Sequence, residues 1–281
     1  MFVKSSNETI YKFFQNPKMR KKWWPEGYKT SEASKSENNF SSNIFTVKTG
    51  YLDYLPIKIS NKDSELSSQF KLNTITLDST EILWETSIKA SFNPLKRLIQ
   101  YQHAKTLHSD FDTILKSFKQ FIENDSQVYG LNIQFAKVIH PTLLTAKFTS
   151  QTYPSLQIIY GVINQLKSSV KANGALQVDS PMLNIEKKKE NNYDVQVALP
   201  VNKSFKASGN QSIKMMVLGR ILVTKVTGGP QKIDLAFVNL EAYLNDKRLM
   251  SPAIPYQSLV TDRITEQDSN KWITKIYYPI Y

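Results

Sequence analysis

The sequence has 281 residues, of which 41% are hydrophobic and 11% aromatic, and it contains 9 glycines and no cysteine. This composition excludes a disordered or fibrous chain, and the lack of cysteine excludes disulfide frameworks, thiolate nucleophiles and cysteine-ligated metals. The length is sufficient for two domains with separate cores, and the formal net charge of +12 favours encounters with anionic partners without identifying one.

A short helix is predicted near the N-terminus. Ser5 and Glu8 have the spacing of a capping box, and the helix is expected to run through Phe14 before Pro17 ends it. Two clusters of basic residues are predicted to lie on solvated surface: Lys18, Arg20, Lys21 and Lys22, and Lys187, Lys188 and Lys189.

Apolar and polar residues alternate from Phe40 to Lys89, which predicts about four consecutive antiparallel strands. A stripe of apolar residues at steps of three and four then predicts a long helix lying on that sheet: Phe111, Ile114, Leu115, Phe118, Phe121 and Ile122. Turn-forming residues at 124–127 end the stripe. We place the domain boundary there, with domains at 1–127 and 128–281.

The second half predicts the same order of elements twice. The first round has strands within 131–149, a helix near 154–171 and strands near 182–201, and the second has a strand near 213–227, a helix near 231–246 and strands near 254–262 and 271–280. This order predicts two strand-helix-strand-strand (βαββ) units related by a pseudo-twofold axis. Pro200 predicts a strand end or a sheet edge.

The histidines and glycines give no catalytic constellation. His103 and His108 are five residues apart, and His140 stands alone, so we interpret all three as surface or capping residues. Gly228-Gly229-Pro230 lacks the Lys-Ser/Thr of a nucleotide-binding loop and predicts a turn that opens a helix. We therefore predict no catalytic residue, no metal and no cofactor. Aromatic side chains could serve the core or line a pocket: Trp23, Trp24, Trp84 and Trp272.

The segment Lys271–Ile280 carries the pattern Trp-x-Thr-x-Ile-Tyr-x-Pro-Ile. This pattern resembles the end of the GyrI-like small-molecule-binding domain, which also forms the effector-binding part of AraC-type and MerR-type regulators. The resemblance extends to residues 197–201, 228–230 and 255–262, and it covers residues 130–281. It implies an α+β fold of two βαββ units around a central cleft.

The first half resembles the START-like (SRPBCC) fold in its short helix before Asn16-Pro17, in Trp23-Trp24-Pro25 and Trp84, and in Asn93-Pro94-Leu95 with the long helix. That resemblance implies a helix-grip arrangement, in which a curved antiparallel sheet wraps a long C-terminal helix around an apolar cavity. The fold normally opens with a full strand, and only Phe2-Val3-Lys4 precede the first helix here. We therefore expect a missing N-terminal piece, which could include a membrane anchor; the protein would then be tethered to a membrane, and otherwise cytoplasmic.

The sequence departs from the GyrI-like pattern at three positions. Gln257 replaces a glutamate common in the family, Leu259 replaces a tyrosine, and Gln231 replaces an aromatic residue. The family carboxylate suits cationic ligands and general-base catalysis, and a neutral amide provides neither. The predicted ligand-binding residues are Trp272, Tyr277, Gln257, Tyr256, Tyr160 and Trp84, and the simplest ligand is a neutral molecule held by stacking and by the Gln257 amide.

These observations predict a non-catalytic protein that binds a small hydrophobic or amphipathic molecule, as a ligand sensor or regulator. One alternative is a protein that acts on DNA or a DNA enzyme, motivated by the net charge; nucleic acid is disfavoured because no helix-turn-helix segment is evident. A second alternative is a small-molecule hydrolase that uses Tyr277 or Asp262. Neighbours on a strand point to opposite faces, so we predict no joint role for Asp262 and Arg263 unless the strand ends before them. The oligomeric state is left open.

Overall fold

The computed structural model describes residues 1–25, 37–62, 64–188 and 192–280. Contacts within the chain divide it into two compact units, Met1–Val128 (unit 1) and Tyr129–Tyr281 (unit 2). Lys189 of the second basic cluster lies outside the described residues. The assignment of two domains that meet between residues 127 and 128 stays a prediction.

Unit 1 contains a six-stranded antiparallel sheet in the order β1-β6-β5-β4-β3-β2. The strands are β1 (Phe2–Val3), β2 (Glu37–Phe40), β3 (Asn43–Val47), β4 (Tyr54–Ser60), β5 (Glu65–Thr76) and β6 (Ser79–Thr86). The four strands predicted by the alternation after Phe40 are β3 to β6. The short strands β1 and β2 extend the sheet at its opposite edges.

The helices of the first half are α1 (Asn7–Gln15), α2 (Pro17–Arg20), α3 (Pro94–Ile122) and α4 (Asp125–Tyr129). The predicted capping box is wrong by one residue, because Ser6 rather than Ser5 is the N-cap. Ser6 has an extended backbone, and its Oγ accepts a hydrogen bond from the Thr9 backbone N–H at 3.3 Å. Pro17 ends α1 as predicted and also begins α2, since the first turn of a helix tolerates a residue without an N–H.

Aromatic rings pack between the six-stranded sheet and the C-terminal half of α3. The Phe14 ring lies 4.2 Å from Phe70 and 4.6 Å from Phe118, between ring centroids, and Phe118 also contacts Trp23 at 4.6 Å. Phe14, Phe70 and Phe118 are fully buried. Tilted and edge-to-face contacts pack these rings directly against one another. The apolar cavity that the resemblance to the START-like fold implied stays a prediction.

Arg20 corrects the prediction that the first basic cluster is solvated. Its side chain is 1% exposed, and the guanidinium donates hydrogen bonds to the backbone carbonyls of Phe14 and Gln15 and to Asn38 Oδ1. Lys18, Lys21 and Lys22 are exposed, as are Lys187 and Lys188. The sequence could not show that Arg20 is buried while its neighbours are exposed, because backbone carbonyls, which are its main partners, occur at every residue.

Unit 2 is built on an eight-stranded antiparallel sheet in the order β11-β8-β10-β9-β13-β14-β12-β7. The strands are β7 (Ile133–Lys137), β8 (Thr142–Ser150), β9 (Met182–Lys187), β10 (Tyr193–Pro200), β11 (Gln211–Met215), β12 (Arg220–Thr227), β13 (Tyr256–Leu259) and β14 (Ile273–Ile280). The helices are α5 (Leu156–Ala172) and α6 (Pro230–Asp246), and a short 3-10 helix covers Ser269–Lys271.

The eight strands contain the predicted duplication. The first βαββ unit is β8-α5-β9-β10 and the second is β12-α6-β13-β14, and they join where β13 pairs with β9. Each unit is extended by the strand that precedes the other unit, since β7 pairs with β12 and β11 pairs with β8. The predicted α+β class is confirmed: an antiparallel sheet with a long C-terminal helix is followed by duplicated βαββ units.

Two details of the second half test local predictions. Gly229 is the N-cap of α6 and Pro230 is its first residue, which confirms the turn that opens a helix. Pro200 is the last residue of β10, but β10 lies between β8 and β9, so the alternative of a sheet edge is wrong. Among the helices in the described parts of the chain, none combines the length and apolar character needed to cross a bilayer.

Candidate ligand-binding site

The sheet of unit 2 has two faces with different contents. On the helix face, α5 packs over residues such as Val197, Leu199 and Leu259, and α6 packs over Val226 and Ile276. The opposite face, here called the open face, is formed by the alternate residues of the same strands. Its central members are Met182, Ala198, Ile221, Val223, Tyr256, Lys275 and Tyr277.

Two neighbouring cavities lie on the open face. Each has a volume of about 490 Å³, and they share Val138, Met182, Met216 and Tyr256 in their linings. A volume of this order suits a small organic molecule. Because both linings combine apolar side chains with polar and charged groups, this face is a candidate ligand site.

Tyr256 and Tyr277 form the aromatic wall of one cavity. They are directly opposite each other on β13 and β14, and their rings stack with centroids 5.0 Å apart and an interplanar angle of 17°. Burial raises the pKa of the Tyr256 hydroxyl well above its ordinary value, with smaller contributions from Tyr277 and Asp179. Burial, with Asp179, also raises the pKa of Tyr277. Both hydroxyls are therefore protonated at neutral pH.

A pair of lysines lies at the side of this cavity. Lys225 on β12 is directly opposite Lys275 on β14, and both side chains line the same cavity as the tyrosine pair. Like charges placed opposite each other on a sheet are destabilising. Within the described ranges neither lysine forms an ion pair, and the only acidic residue in the cavity lining is Asp179. The cavity thus has unbalanced positive charge beside an apolar wall.

The helix face carries a polar cluster around Arg263. Arg263 Nη2 donates to Gln257 Oε1 at 3.1 Å and to Thr274 Oγ1 at 2.9 Å. Its guanidinium carbon lies 4.9 Å from the centroid of the Trp272 ring, and its backbone N–H donates to the Tyr160 hydroxyl at 2.7 Å. The Arg263 guanidinium therefore already covers the Trp272 ring and uses the Gln257 side-chain oxygen as a hydrogen-bond acceptor.

Arg263 is held without a carboxylate partner. The residue is 7% exposed, and no acidic group in the described part of the chain pairs with it. Burial lowers the pKa of Arg263, an effect opposed by Tyr160 and Tyr153. Its Nε is buried without a hydrogen-bond partner among the described residues. Neutral acceptors and one ring thus compensate for the desolvation of this charge.

The structure divides the predicted ligand-binding residues into three places. Tyr256 and Tyr277 lie together on the open face, whereas Gln257, Tyr160 and Trp272 lie together on the helix face around Arg263. Adjacent residues of a strand point to opposite faces, so Tyr256 and Gln257 are separated by the sheet itself. A ligand stacked on Tyr277 and bonded to Gln257 does not match this geometry.

Trp84, the third place, belongs to unit 1. Its ring stacks on Phe111 with centroids 4.1 Å apart, and its Nε1 donates to Ser68 Oγ at 3.0 Å. It borders an open cavity of about 690 Å³ whose lining is largely polar, including Ser67, Gln69 and Glu85. Its ring face and its donor are both engaged by the protein, and its role in ligand binding stays a prediction.

Sequence reasoning missed several residues of both faces. The signal for Lys225 and Lys275 was present, because each alternates with a core residue of its strand and therefore points to the opposite face. Arg263 was considered only as a partner of Asp262, and its burial gave no such signal, because it follows the end of β13 and depends on the loop that carries it. His140, interpreted as a surface residue, lines the open-face cavity. Within the described ranges, no group of three or more potential metal ligands is present.

Comparisons with known proteins give structural likeness only. No family model and no curated protein matches the chain. The chain is similar to the EcmrR C-terminal domain, with 20% identity, a TM-score of 0.47 and coverage of 54% of this chain and 98% of that one. It is also similar to SAV2435 bound to tetraphenylphosphonium, with 12% identity, a TM-score of 0.39 and coverage of 53% and 94%. EcmrR in a DNA complex gives 19% identity, a TM-score of 0.48 and coverage of 66% and 70%.

Proposed function

We propose that unit 2 is a GyrI-like, non-catalytic binding domain that holds a small, mainly apolar molecule on its open face. The observation that carries this proposal is the cavity of about 490 Å³ bordered by the stacked pair of Tyr256 and Tyr277. A flat apolar ligand would gain contact with this wall, and Met182 and Met216 can adapt to its outline. A role as a ligand sensor or regulator is part of the proposal.

The lysine pair favours a ligand that also carries a negative charge. Lys225 and Lys275 are directly opposite each other on neighbouring strands. Asp179 supplies the only carboxylate among the described residues that line this cavity. A carboxylate or sulfonate at this place would relieve the repulsion between the two ammonium groups. The geometry thus supports an amphipathic anion better than the neutral ligand inferred from Gln257.

The helix face is a poorer candidate for the ligand. Arg263 already contacts Gln257, Thr274 and Trp272, so a ligand there would have to displace a buried side chain. A hydrolytic role for Tyr277 is disfavoured as well, because burial raises the pKa of its hydroxyl and a phenolate base would be scarce at neutral pH.

Titration with the fluorescent dye anilinonaphthalene sulfonate tests this proposal, since the dye joins flat rings to one negative charge. We expect saturable binding to the 281-residue chain, and an affinity about tenfold lower in Tyr277→Ala, because the ring wall is lost. The matched control is Tyr153→Ala, which removes an exposed tyrosine of unit 2. Unchanged affinity in Tyr277→Ala, or equal losses in both variants, would contradict the proposal.

A further inference from the structure

The first turns of α3 extend beyond the core of unit 1. The helix spans Pro94–Ile122, but its first buried residue is Leu107. Every residue from 92 to 99 is exposed. Since most helical stability in proteins comes from packing of an apolar face, a helical segment with no buried residue needs another explanation. Residues 92–106 are called the α3 extension below.

Local hydrogen bonds hold the α3 extension in place. Asn93 Oδ1 accepts from the backbone N–H groups of Leu95 and Lys96, which caps the helix. The Gln100 side chain accepts from the Ser91 N–H and donates to the Lys89 carbonyl. The extension is therefore a formed helix start, and its exposed side chains have a fixed arrangement.

The exposed side chains of the α3 extension are unusually apolar. Five large hydrophobic residues are between 60% and 107% exposed: Phe92, Leu95, Leu98, Ile99 and Tyr101. Steps of three and four residues place Leu95, Leu98 and Ile99 along one side of the helix, and Phe92 lies just before the N-cap residue Asn93. A contiguous exposed stripe of this kind marks an interaction surface more often than solvated surface.

The charge of the same region has one sign. Between Glu85 and Asp110 the sequence contains Lys89, Lys96, Arg97 and Lys105 and no acidic residue. In the part of the chain that the structure describes, none of these four cations forms an ion pair. At roughly 100° per residue, Lys96 and Lys105 fall on opposite flanks of the apolar stripe.

We propose that the α3 extension docks on an anionic lipid surface, with its apolar stripe among the acyl chains and its cations at the phosphates. An amphipathic helix start with leucine and isoleucine on one side, an exposed phenylalanine just before it and flanking lysines has the chemistry that binds in the plane of a bilayer interface. Anionic headgroups supply the negative charge that this region lacks. The proposal depends only on unit 1 and is independent of the ligand cavity of unit 2.

Co-sedimentation of the 281-residue chain with lipid vesicles tests this inference. We expect binding to vesicles of equal parts phosphatidylserine and phosphatidylcholine, and little binding to phosphatidylcholine alone. Binding should weaken with added salt, because the lysine contribution is screened. The double variant Leu98→Glu with Ile99→Glu should lose at least about tenfold in partitioning, since it places two charges in the apolar stripe.

Leu77→Glu is the matched control, because Leu77 is a 67% exposed leucine in the turn between β5 and β6. It should bind vesicles as the unchanged chain does. Circular dichroism should show both variants folded, since all the altered side chains are exposed. No binding to the anionic vesicles, or equal binding by the double variant, would overturn the proposal. So would an assembly of two copies that the double variant separates without any vesicle binding by the unchanged chain.

Discussion

Aromatic residues serve different purposes on the sheet faces that a helix covers and on the open face of unit 2. In unit 1, α3 lies over the sheet, and the rings of Phe14, Phe70 and Phe118 pack against one another. On the open face of unit 2, Tyr256 and Tyr277 stack on each other and leave a cavity beside them. On the helix face of that same sheet, the Trp272 ring packs against Arg263, whose side chain also contacts Gln257 and Thr274.

This difference shows that aromatic content does not by itself predict a ligand site. A covering helix brings side chains into the space above a strand, and rings then serve as packing. Where no helix follows, the same alternation of residues leaves a concave surface. Substitutions on covered faces should therefore change stability, whereas those on the open face should change ligand binding.

The largest effect is expected in the ring core of unit 1. Phe118→Ala should lower the free energy of unfolding by about 3–5 kcal/mol, because it leaves a cavity among buried rings. The measurement is urea unfolding followed by tryptophan fluorescence. Phe92→Ala, at a fully exposed phenylalanine, should change stability by less than about 0.5 kcal/mol. Similar losses in both variants would show that the core is less well packed than its contacts indicate.

A smaller loss is expected on the helix face of unit 2. Gln257→Leu should cost about 1–3 kcal/mol, because it removes an acceptor from the buried Arg263 guanidinium. Thermal and urea unfolding measure this loss. Ser258→Ala is the neighbouring control on the opposite face of β13, and it should cost less than Gln257→Leu. A harmless Gln257→Leu would mean that Arg263 is not held as described.

Gln257→Glu tests the contact between residue 257 and Arg263 through the pH dependence of stability. Arg263 should hold the pKa of the new carboxyl below the ordinary value of about 4.3. A carboxyl whose pKa is lower in the folded state stabilises the protein at pH values above its unfolded-state pKa. That stabilisation is lost as the pH falls through the folded-state pKa. The variant should therefore match or exceed the unchanged chain near neutral pH and lose that gain in acid. A gain that persists unchanged in acid would contradict a direct contact with Arg263.

The open face should show its effect in ligand preference. Lys275→Gln should weaken binding of naphthoate by about three- to tenfold and leave binding of the uncharged naphthalenemethanol unchanged, because only the carboxylate meets the lysine pair. Calorimetric titration of both compounds measures the difference. Lys187→Gln, at an exposed lysine outside the described linings of both open-face cavities, is the control. An equal loss of affinity for both compounds would show that the carboxylate does not bind at the lysine pair.

The smallest effect is expected for the Tyr256 hydroxyl. Burial raises its pKa above the ordinary value near 10, so the folded state favours the protonated phenol. The stability contributed by the protonated phenol is fully present at pH values below the ordinary tyrosine pKa. It is lost as the pH rises through the folded-state pKa. Tyr256→Phe should unfold like the unchanged chain at neutral pH and become relatively more stable in alkali. A constant difference at every pH would show that the hydroxyl is not desolvated.

The sequence by itself determined the elements and the duplicated order. Strand and helix periods are local properties, so the alternation in β10 and the apolar stripe of α3 were readable without neighbours. The turn at Gly229-Pro230 was likewise a local property of two residues. The separation of Tyr256 from Gln257 also follows from the strand period alone, although the predicted ligand set combined them.

Only the tertiary structure decided which face of the sheet was covered. Both α5 and α6 pack on the side of Leu259 and Ile276, and this choice left Tyr256, Tyr277 and the lysine pair around a cavity. The pairing of β7 with β12 and of β11 with β8 links segments distant in sequence, which no local pattern encodes. The burial of Arg263 follows from the same cause, because its partners come from α5, β13 and β14 and meet only when the chain has folded.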